Sequence, residues 1–518
     1  MADLTRVLGS QTRTQARTTA VASKVPRFLK RPQLASESAQ TSKFRNCCSL
    51  TVHIALPPPS FGRGYIHLLN DDILLDIFHY YRLDQGDGWN IRLRWRKLSQ
   101  VCQRWRYLIY ESTFHLGMHI RCTTGTPIVD TGALDHLPPL LVFVDYWHNL
   151  TKQEKLGMCH ALRLHDRVCY VCVHVPPSIL HECLMVMADH FPILEYLSLR
   201  SKVDSSTALT LSKAFLAPNM RHLALSGVRL PKRLQLLTST ISLVTLELWD
   251  IQASSYFRPR LIVARLRSLP QLEELHIGFS VPIPRPSTER ELLGEQGTPV
   301  TLPNLNTLRF QGVCVYLESF IAQIRAPDLK LLKITLFNQI AFTLQHLSHF
   351  INITEGLKIP VVKVVFWYKT IYVTTSESGL FDGPFFIRVM CEPLDWQIDC
   401  AAQICIALAP AIRASDIERF ILDVHNSITS DKWLDYEIDD ATWHELLSSF
   451  VGVKELLIGT GLLEELVRAL QMDEVGPDPG FLPDLQEIVA ERNRFTLFID
   501  TRQVVGRPVR FSPLQRPL

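Results

Sequence analysis

The 518-residue sequence has no apolar run close to the ~18–20 residues that a membrane-spanning helix needs. It has little net charge, because 54 Lys and Arg against 51 Asp and Glu leave only +3. Whole-chain electrostatics therefore gives no support for binding nucleic acid or an anionic membrane. Twelve cysteines are too few for a disulfide scaffold in a chain of this length. These absences favour a globular protein with neither class of partner, and 47% apolar residues are sufficient for a sizeable core.

Signatures of catalysis are also missing. The sequence contains no Gly-x-Ser-x-Gly elbow, no Gly-x-x-x-x-Gly-Lys-Ser/Thr loop, no Gly-x-Gly-x-x-Gly and no His-Glu-x-x-His. Most of the 18 histidines stand singly within predicted strands or helices. The sequence therefore predicts a protein that is not an enzyme, with no catalytic residues and no cofactor.

One cysteine pair has the spacing of a zinc site. Cys169 and Cys172 are separated by two residues, but they lie within the β-branched run Val168–Val173. Residues three apart on a strand point to opposite faces, so the two thiolates could not bind one ion without a turn between them. We expect buried, reduced cysteines here and no metal site.

The first 50 residues differ in composition from the rest of the chain. They contain nine Lys or Arg and only two acidic residues, and a Pro-rich break follows at Pro57–Pro59. This pattern predicts a disordered basic tail; a mitochondrial transit peptide and an incorrectly assigned start of the gene are the alternatives. No apolar signal-peptide core is present, so we expect a cytoplasmic or nuclear protein.

Two helices are predicted after the break. Asn70, Asp71 and Asp72 are suited to a helix N-terminus, and Ile73, Leu74, Ile77 and Phe78 then follow at helical spacing. After a polar stretch with glycines, a second apolar seam runs along the chain and predicts one helix ending near Glu111. Its residues are Leu98, Val101, Cys102, Trp105, Leu108 and Ile109.

These residues, and Val101-Cys-x-x-Trp105 above all, resemble the F-box motif over residues 61–112. Asn70 stands where the family usually has proline, and the connector between the helices is longer than usual. The resemblance implies docking to the Skp-type adaptor of a cullin–RING ubiquitin ligase, with Phe78 and Trp105 as aromatic anchors. The adaptor-binding candidates are Leu69, Ile73, Leu74, Ile77, Phe78, Val101, Trp105 and Leu108. Some of these residues must instead form the small core of the motif.

A six-residue pattern, apolar-x-x-apolar-x-apolar, recurs through the rest of the chain; we call it the hexad. Ten hexads begin at Leu194, Met220, Leu243, Leu272, Leu305, Leu329, Val361, Ile417, Val453 and Leu485. Val168, Val171 and Val173 fit upstream, and the 56 residues between Val361 and Ile417 leave room for a further unit near Phe386–Val389. Proline precedes several hexads, and helix-like stretches lie between them, among them 179–190, 206–216, 261–268 and 462–471.

One short strand and one helix per unit resembles an irregular leucine-rich repeat. With the F-box, the pattern is similar to that of fungal F-box proteins with degenerate repeats. It implies an α/β fold: short all-α F-box helices followed by an irregular leucine-rich-repeat solenoid, or horseshoe. The predicted segments are a basic tail and Pro linker (1–60), the F-box (61–112), a joining region that opens the solenoid (113–165), the solenoid (166–495) and a C-terminal tail (496–518).

The intervening residues of each hexad are expected to face the concave surface of the solenoid and to bind a protein substrate. The candidates are Arg200, Trp249, His276, Arg309, Gln311, Lys333 and Trp367. The predicted function is the substrate-recruiting subunit of a SKP–cullin–F-box-type ligase. Two alternatives remain: a repeat scaffold whose F-box is a relic or binds the adaptor without a cullin, and an organellar or repeat-based enzyme.

Overall fold

The computed structural model describes most of the chain after residue 64. The described residues are 65–83, 94–112, 116, 119–125, 141–201, 209–230, 235–282, 298–339, 342–357, 361–367, 369–376, 383–391, 394–412, 417–424, 440–459, 462–472, 482–491, 494–504 and 506–514. The predicted basic tail and the connector at 84–93 lie outside them. The chain divides into two units, Met1–Leu68 and Leu69–Leu518, and the 3-10 helix Tyr65–Leu68 is the described part of the first. The following description concerns the second unit.

Helices and strands alternate along most of this unit. The helices are α1 Asp71–Leu83, α2 Arg94–Ser99, α3 Gln103–Glu111, α4 Lys152–Arg163, α5 Pro177–Val186, α6 Gln235–Ser239, α7 Pro259–Leu266, α8 Cys314–Ile321, α9 Gln345–Ile353, α10 Leu394–Ile412, α11 Asp440–Ser448, α12 Leu463–Met472 and α13 Thr496–Val504. The strands are β1 His119–Thr123, β2 Leu141–Trp147, β3 Val168–His174, β4 Tyr196–Arg200, β5 Leu209–Thr210, β6 His222–Ser226, β7 Val228–Arg229, β8 Thr245–Ile251, β9 Glu274–Phe279, β10 Val300–Thr301, β11 Thr307–Gly312, β12 Ile324–Arg325, β13 Leu331–Leu336, β14 Val361–Trp367, β15 Thr370–Thr374, β16 Phe385–Met390, β17 Arg419–Val424, β18 Glu455–Ile458, β19 Glu487–Ala490 and β20 Arg510–Pro513. None of the helices in the described part of the chain has the length and apolar character needed to cross a membrane.

Sixteen of these strands form one long sheet, which gives the protein its mixed α/β architecture. The order is β1-β2-β3-β4-β6-β8-β9-β11-β13-β16-β15-β14-β17-β18-β19-β20. Each of the ten hexads lies on a strand of this sheet, so the strand prediction is confirmed. Among the described strands of the sheet, β15 alone is antiparallel to its neighbours β14 and β16.

The hydrophobic core lies between the sheet and the helices because alternate residues of every strand point to the same face. On β4, Leu197 and Leu199 are fully buried in this core, and Leu180 and Leu184 of α5 belong to the same cluster. Burying each such leucine stabilises the fold by roughly 1.5–3 kcal/mol. One continuous core runs from Val142 to Val509, so each strand and its helix are stabilised by the strands and helices on either side.

The sheet begins within the predicted joining region and is longer than the sequence predicts at its C-terminal end. β1 and β2 lie in the region 113–165, which was expected to open the solenoid; β1 pairs in parallel with β2, and β2 pairs in parallel with β3. The predicted C-terminal tail instead contains α13 and β20, and β20 pairs with β19. No hexad marks β20, since its sequence Arg510-Phe-Ser-Pro513 has one large apolar residue.

Two further predictions, an extra strand and a helix, can be compared with the observed elements. A strand unit does occupy the wide gap after Val361, as β16, and the β15–β16 hairpin brings β16 next to β13. The helix predicted over 206–216 is wrong where the structure describes it, because Leu209–Thr210 is a short strand paired with Val228–Arg229.

The helical segment before the sheet differs in one respect from prediction. α1 begins as expected, since the Asn70 Oδ1 accepts a hydrogen bond of 2.9 Å from the Ile73 N–H. The predicted second helix is two helices, α2 and α3, because Cys102 is extended at φ −156° and caps α3 by accepting the Trp105 N–H on its Sγ at 3.4 Å. The apolar seam continues across this break, so periodicity alone could not reveal it.

Candidate interaction surfaces

The helical segment has its own small core. Leu74, Phe78, Trp105 and Leu108 are buried together, and the Phe78 and Trp105 rings meet edge to face with centroids 4.8 Å apart. Phe78 is 3% exposed and Trp105 9% exposed. The prediction that these two aromatic residues are the anchors for a partner is therefore corrected: their rings are occupied within the fold.

Other members of the predicted adaptor-binding set are exposed. Ile73 is 46% and Ile77 41% exposed, and Tyr80 and Tyr81 continue the same face of α1 with 71% and 40% exposure. We call these four residues the α1 stripe; their spacing of i, i+4, i+7 and i+8 places them on one side of the helix. Val101 is also exposed, whereas Leu69 is half-buried. Burial thus divides the predicted set into core and surface members.

An ion pair joins α3 to the start of α1. The Arg104 Nη2 lies 2.7 Å from the Asp71 Oδ1 and donates to the Leu69 carbonyl oxygen at 2.6 Å. Both groups are partly exposed, so the pair contributes modestly to stability.

The second candidate surface is the side of the sheet that faces away from the main core, which we call the open face. Its central row consists of residues directly opposite one another from β3 to β16: Cys172, Ser198, Ala224, Glu247, His276, Arg309, Lys333 and Phe386. The row passes from small side chains to a Glu–His pair, then to cations and an aromatic ring. Such a change along one face allows chemically different contacts with one partner.

Three of the predicted substrate-binding residues surround Glu247. The Arg200 Nη2 lies 3.3 Å from the Glu247 Oε2, and the Trp249 Nε1 donates to the same oxygen at 3.3 Å. His276 approaches the other oxygen, with its Nδ1 3.4 Å from the Glu247 Oε1. Trp249 and His276 are also neighbours, with ring centroids 5.6 Å apart.

The other predicted residues lie farther along the open face. Arg309 and Lys333 follow His276 in the central row, and the Gln311 Nε2 donates to the Phe279 carbonyl oxygen at 3.0 Å. Trp367 is separate from them and packs on Val365, Tyr372 and Phe386, which form a small apolar cluster. The predicted set therefore lies on one face of the sheet, but in more than one group.

Some candidates were missed by sequence reasoning. Glu274 shares the face of His276, and its Oε2 lies 3.9 Å from the His276 Nε2. Tyr170 stacks on Phe143 and Tyr196, with centroids 5.3 Å and 4.4 Å away, beside a cavity of about 670 Å³. Aligning neighbouring hexads could have identified these residues, because side chains at the same hexad position become cross-strand neighbours.

Electrostatics differ between the groups of the open face. Burial raises the pKa of Glu247, but the neighbouring His276 and the charge of Arg200 outweigh this effect, so the pKa is lower than usual. Burial, together with the charges of Arg200 and His148, lowers the pKa of His174 to about 4. At neutral pH this region therefore contains an ionised Glu247 and a neutral His174.

The two cysteines with zinc-site spacing differ in burial. Cys169 and Cys172 both lie on β3, where Cys172 is buried as expected but Cys169 is half-buried, and no cysteine that the structure describes is in a disulfide. Burial raises the pKa of Cys172 to about 11 and that of Cys169 to about 12, so both are protonated at neutral pH.

Comparisons with known proteins identify no family for this chain. No family model matches it, and no curated protein matches it. Among solved structures, the crystal structure of a TLR13–ssRNA13 complex is similar at 12% identity over 78% of this chain and 50% of that chain, with a TM-score of 0.32. This chain spans about half the length of that structure, and a likeness at this TM-score does not identify the fold.

Proposed function

We propose that this protein is the substrate-recruiting subunit of a SKP–cullin–F-box-type ubiquitin ligase. In this proposal α1–α3 form the F-box, which docks a Skp-type adaptor and through it a cullin. The protein itself performs no chemistry; it holds a substrate near a charged ubiquitin-conjugating enzyme, which accelerates transfer by proximity.

The observation that carries the proposal is the division of the F-box-like residues into two sets. Leu74, Phe78 and Trp105 fill the internal core, so the segment has a defined fold. Ile73 and Ile77, on the adjacent side of the same helix, are left in solvent at 46% and 41% exposure. An apolar stripe on a folded helix is the feature that a helix-in-groove contact requires. We therefore assign the adaptor contact to the α1 stripe and Val101.

We also propose that the strand–helix stack is an irregular leucine-rich-repeat solenoid. Support comes from the coincidence of each hexad with a strand, from the parallel pairing of most successive units and from the continuous core between the sheet and the helices. The open face would then be its concave, substrate-binding side. Arg200, Trp249 and the apolar cluster at Trp367 are its candidate contacts.

The adaptor contact can be tested with surface substitutions that leave the core intact. The full chain is mixed with purified Skp-type adaptor, and binding is measured for the wild type and for an Ile73→Asp/Ile77→Asp variant. The control is Leu156→Asp/Met185→Asp, which places the same charges at apolar positions that are more exposed, 55% and 67%, on α4 and α5. Circular dichroism confirms that each variant is folded.

We expect stoichiometric binding by the wild type and by the control, and loss of binding in the α1 variant. No binding by the intact chain would overturn the proposal and favour a repeat scaffold with a relic F-box. Adaptor binding without recruitment of a cullin would instead favour the cullin-independent alternative.

A further inference from the structure

Two carboxylates and an imidazole meet on the open face, on the neighbouring strands β8 and β9. Glu247, Glu274 and His276 each place a potential ligand atom within 4.8 Å of the others. They come from alternate positions of the two strands, so the sheet itself holds their backbones in register. This arrangement does not depend on loops.

His276 is the residue that distinguishes this cluster from ordinary surface acids. It is only 3% exposed, and neither ring nitrogen has a hydrogen-bond partner among the described residues. The Nδ1 lies 3.4 Å from the Glu247 Oε1 and the Nε2 lies 3.9 Å from the Glu274 Oε2, and both distances are longer than that of a good hydrogen bond.

These distances suit a shared ion better than direct contact. Zinc binds histidine nitrogen at about 2.0–2.1 Å and carboxylate oxygen at about 2.0–2.2 Å, so two ligands in a tetrahedral site are about 3.3–3.5 Å apart. The His276 Nδ1 and the Glu247 Oε1 are 3.4 Å apart. Glu274 has a side chain that is 45% exposed, so it can rotate towards the ion without disturbing the core.

We propose that Glu247, Glu274 and His276 bind a zinc ion. Neutral imidazole with carboxylate oxygens is a donor set that zinc accepts. The second oxygen of Glu247 is already held by Arg200 and the Trp249 Nε1, which fix the orientation of the first. Three protein ligands leave one position of a tetrahedral site for water or for a side chain of a bound partner.

Two nearby arginines are expected to lower the affinity of this site for zinc. Arg200 contacts Glu247, and Arg309 stands opposite His276 on β11. These two guanidinium groups offset the charge of the two carboxylates, so we expect weaker binding than at an all-cysteine zinc site.

The test is a titration of the metal-free full chain with zinc chloride, followed by calorimetry. The variant Glu274→Gln removes one ligand at a partly exposed position and keeps the side-chain shape, so it is expected to fold. We expect about a tenfold or greater loss of affinity, the scale on which even outer-shell substitutions act. Glu273→Gln is the matched control, since it removes the same charge from the adjacent exposed residue and should bind zinc like the wild type.

Cobalt provides a second readout that separates this site from the cysteines. A site of nitrogen and oxygen ligands gives visible d–d absorption without a near-ultraviolet thiolate-to-cobalt band. We expect this spectrum for the wild type and its loss in Glu274→Gln and His276→Gln. Absence of zinc binding, equal affinity in all variants, or a thiolate band would each overturn the proposal.

Discussion

Trp249 lies directly against Gly278 on the next strand. A Cβ atom built at Gly278 would come within 2.3 Å of the Trp249 Cε3, a distance that no real contact permits. The strand register shifts between Leu248 and Ile251, where Asp250 has φ 53°, and this bulge turns Trp249 onto the glycine. The indole is thereby held beside Glu247 and His276 on the open face.

We expect Gly278→Ala to destabilise the protein, because the methyl group and the indole cannot occupy the same space. The loss in the free energy of unfolding should be about 1–3 kcal/mol, as for other overpacked sites. Urea denaturation monitored by circular dichroism measures this loss. In a Trp249→Ala background the same glycine substitution should cost little, because the clashing ring is absent. Equal costs in the two backgrounds would contradict the contact.

The two sides of α1 should respond differently to truncation. Phe78→Ala removes a ring packed on Trp105 and should cost about 3–5 kcal/mol, with rapid hydrogen exchange in α1 and α3. Ile77→Ala changes an exposed side chain and should alter stability by less than about 0.5 kcal/mol. Hydrogen exchange followed by mass spectrometry measures both effects. Similar protection of α1 in the two variants would show that Phe78 does not hold the helical segment together.

Glu318 should act as a cap between successive helices. This buried residue of α8 accepts the N–H groups of His346 at 2.7 Å and Leu347 at 2.9 Å, at the start of α9, whose own N-cap residue Leu344 supplies no side-chain hydrogen bond. Glu318→Ala leaves both donors unsatisfied and should lower the free energy of unfolding by about 1–3 kcal/mol.

The matched comparisons for this cap use two further variants. Glu318→Gln retains an acceptor oxygen and should lose less stability than Glu318→Ala. Glu355→Ala removes an exposed carboxylate and should have almost no effect. Chemical denaturation of all three variants tests the ranking, and equal losses in Glu318→Ala and Glu355→Ala would exclude the capping role.

Stability should decrease on acidification partly because of His174. Burial lowers the folded-state pKa of His174 to about 4, whereas an unfolded histidine titrates near 6.5. Between these values the unfolded chain binds more protons, so this contribution is fully present above about pH 6.5 and decreases as pH falls towards 4.

The contribution of His174 is isolated by substitution. The difference in stability between pH 7 and pH 5 should be smaller in His174→Gln than in the wild type. His181→Gln, which removes an exposed imidazole, should keep the wild-type pH dependence. Urea midpoints at the two pH values measure the effect. An unchanged pH dependence in His174→Gln would show that the imidazole is not titrated by unfolding.

The strands of the sheet were predictable because their cause is local. A strand buried on one face must place apolar residues at alternate positions, and the hexads record this at Leu197 and Leu199 as clearly as at Leu456 and Ile458. The start of α1 was predictable for the same reason, since the Asn70 side chain caps a helix that begins beside it. β20 was not, because it adds to an existing edge with few apolar residues.

Contacts between distant residues were decided only by the tertiary structure. Periodicity placed Ile77 and Phe78 in one seam, and only the position of Trp105 determined that Phe78 is buried and Ile77 is exposed. His276 was identified from the sequence as a surface contact, yet it is buried in the fold, and its neighbour Glu247 comes from another strand. Local alternation along the chain therefore predicts which residues face the core and which face the surface. The fold decided which of them meet, because meeting depends on register and packing between segments far apart in the chain.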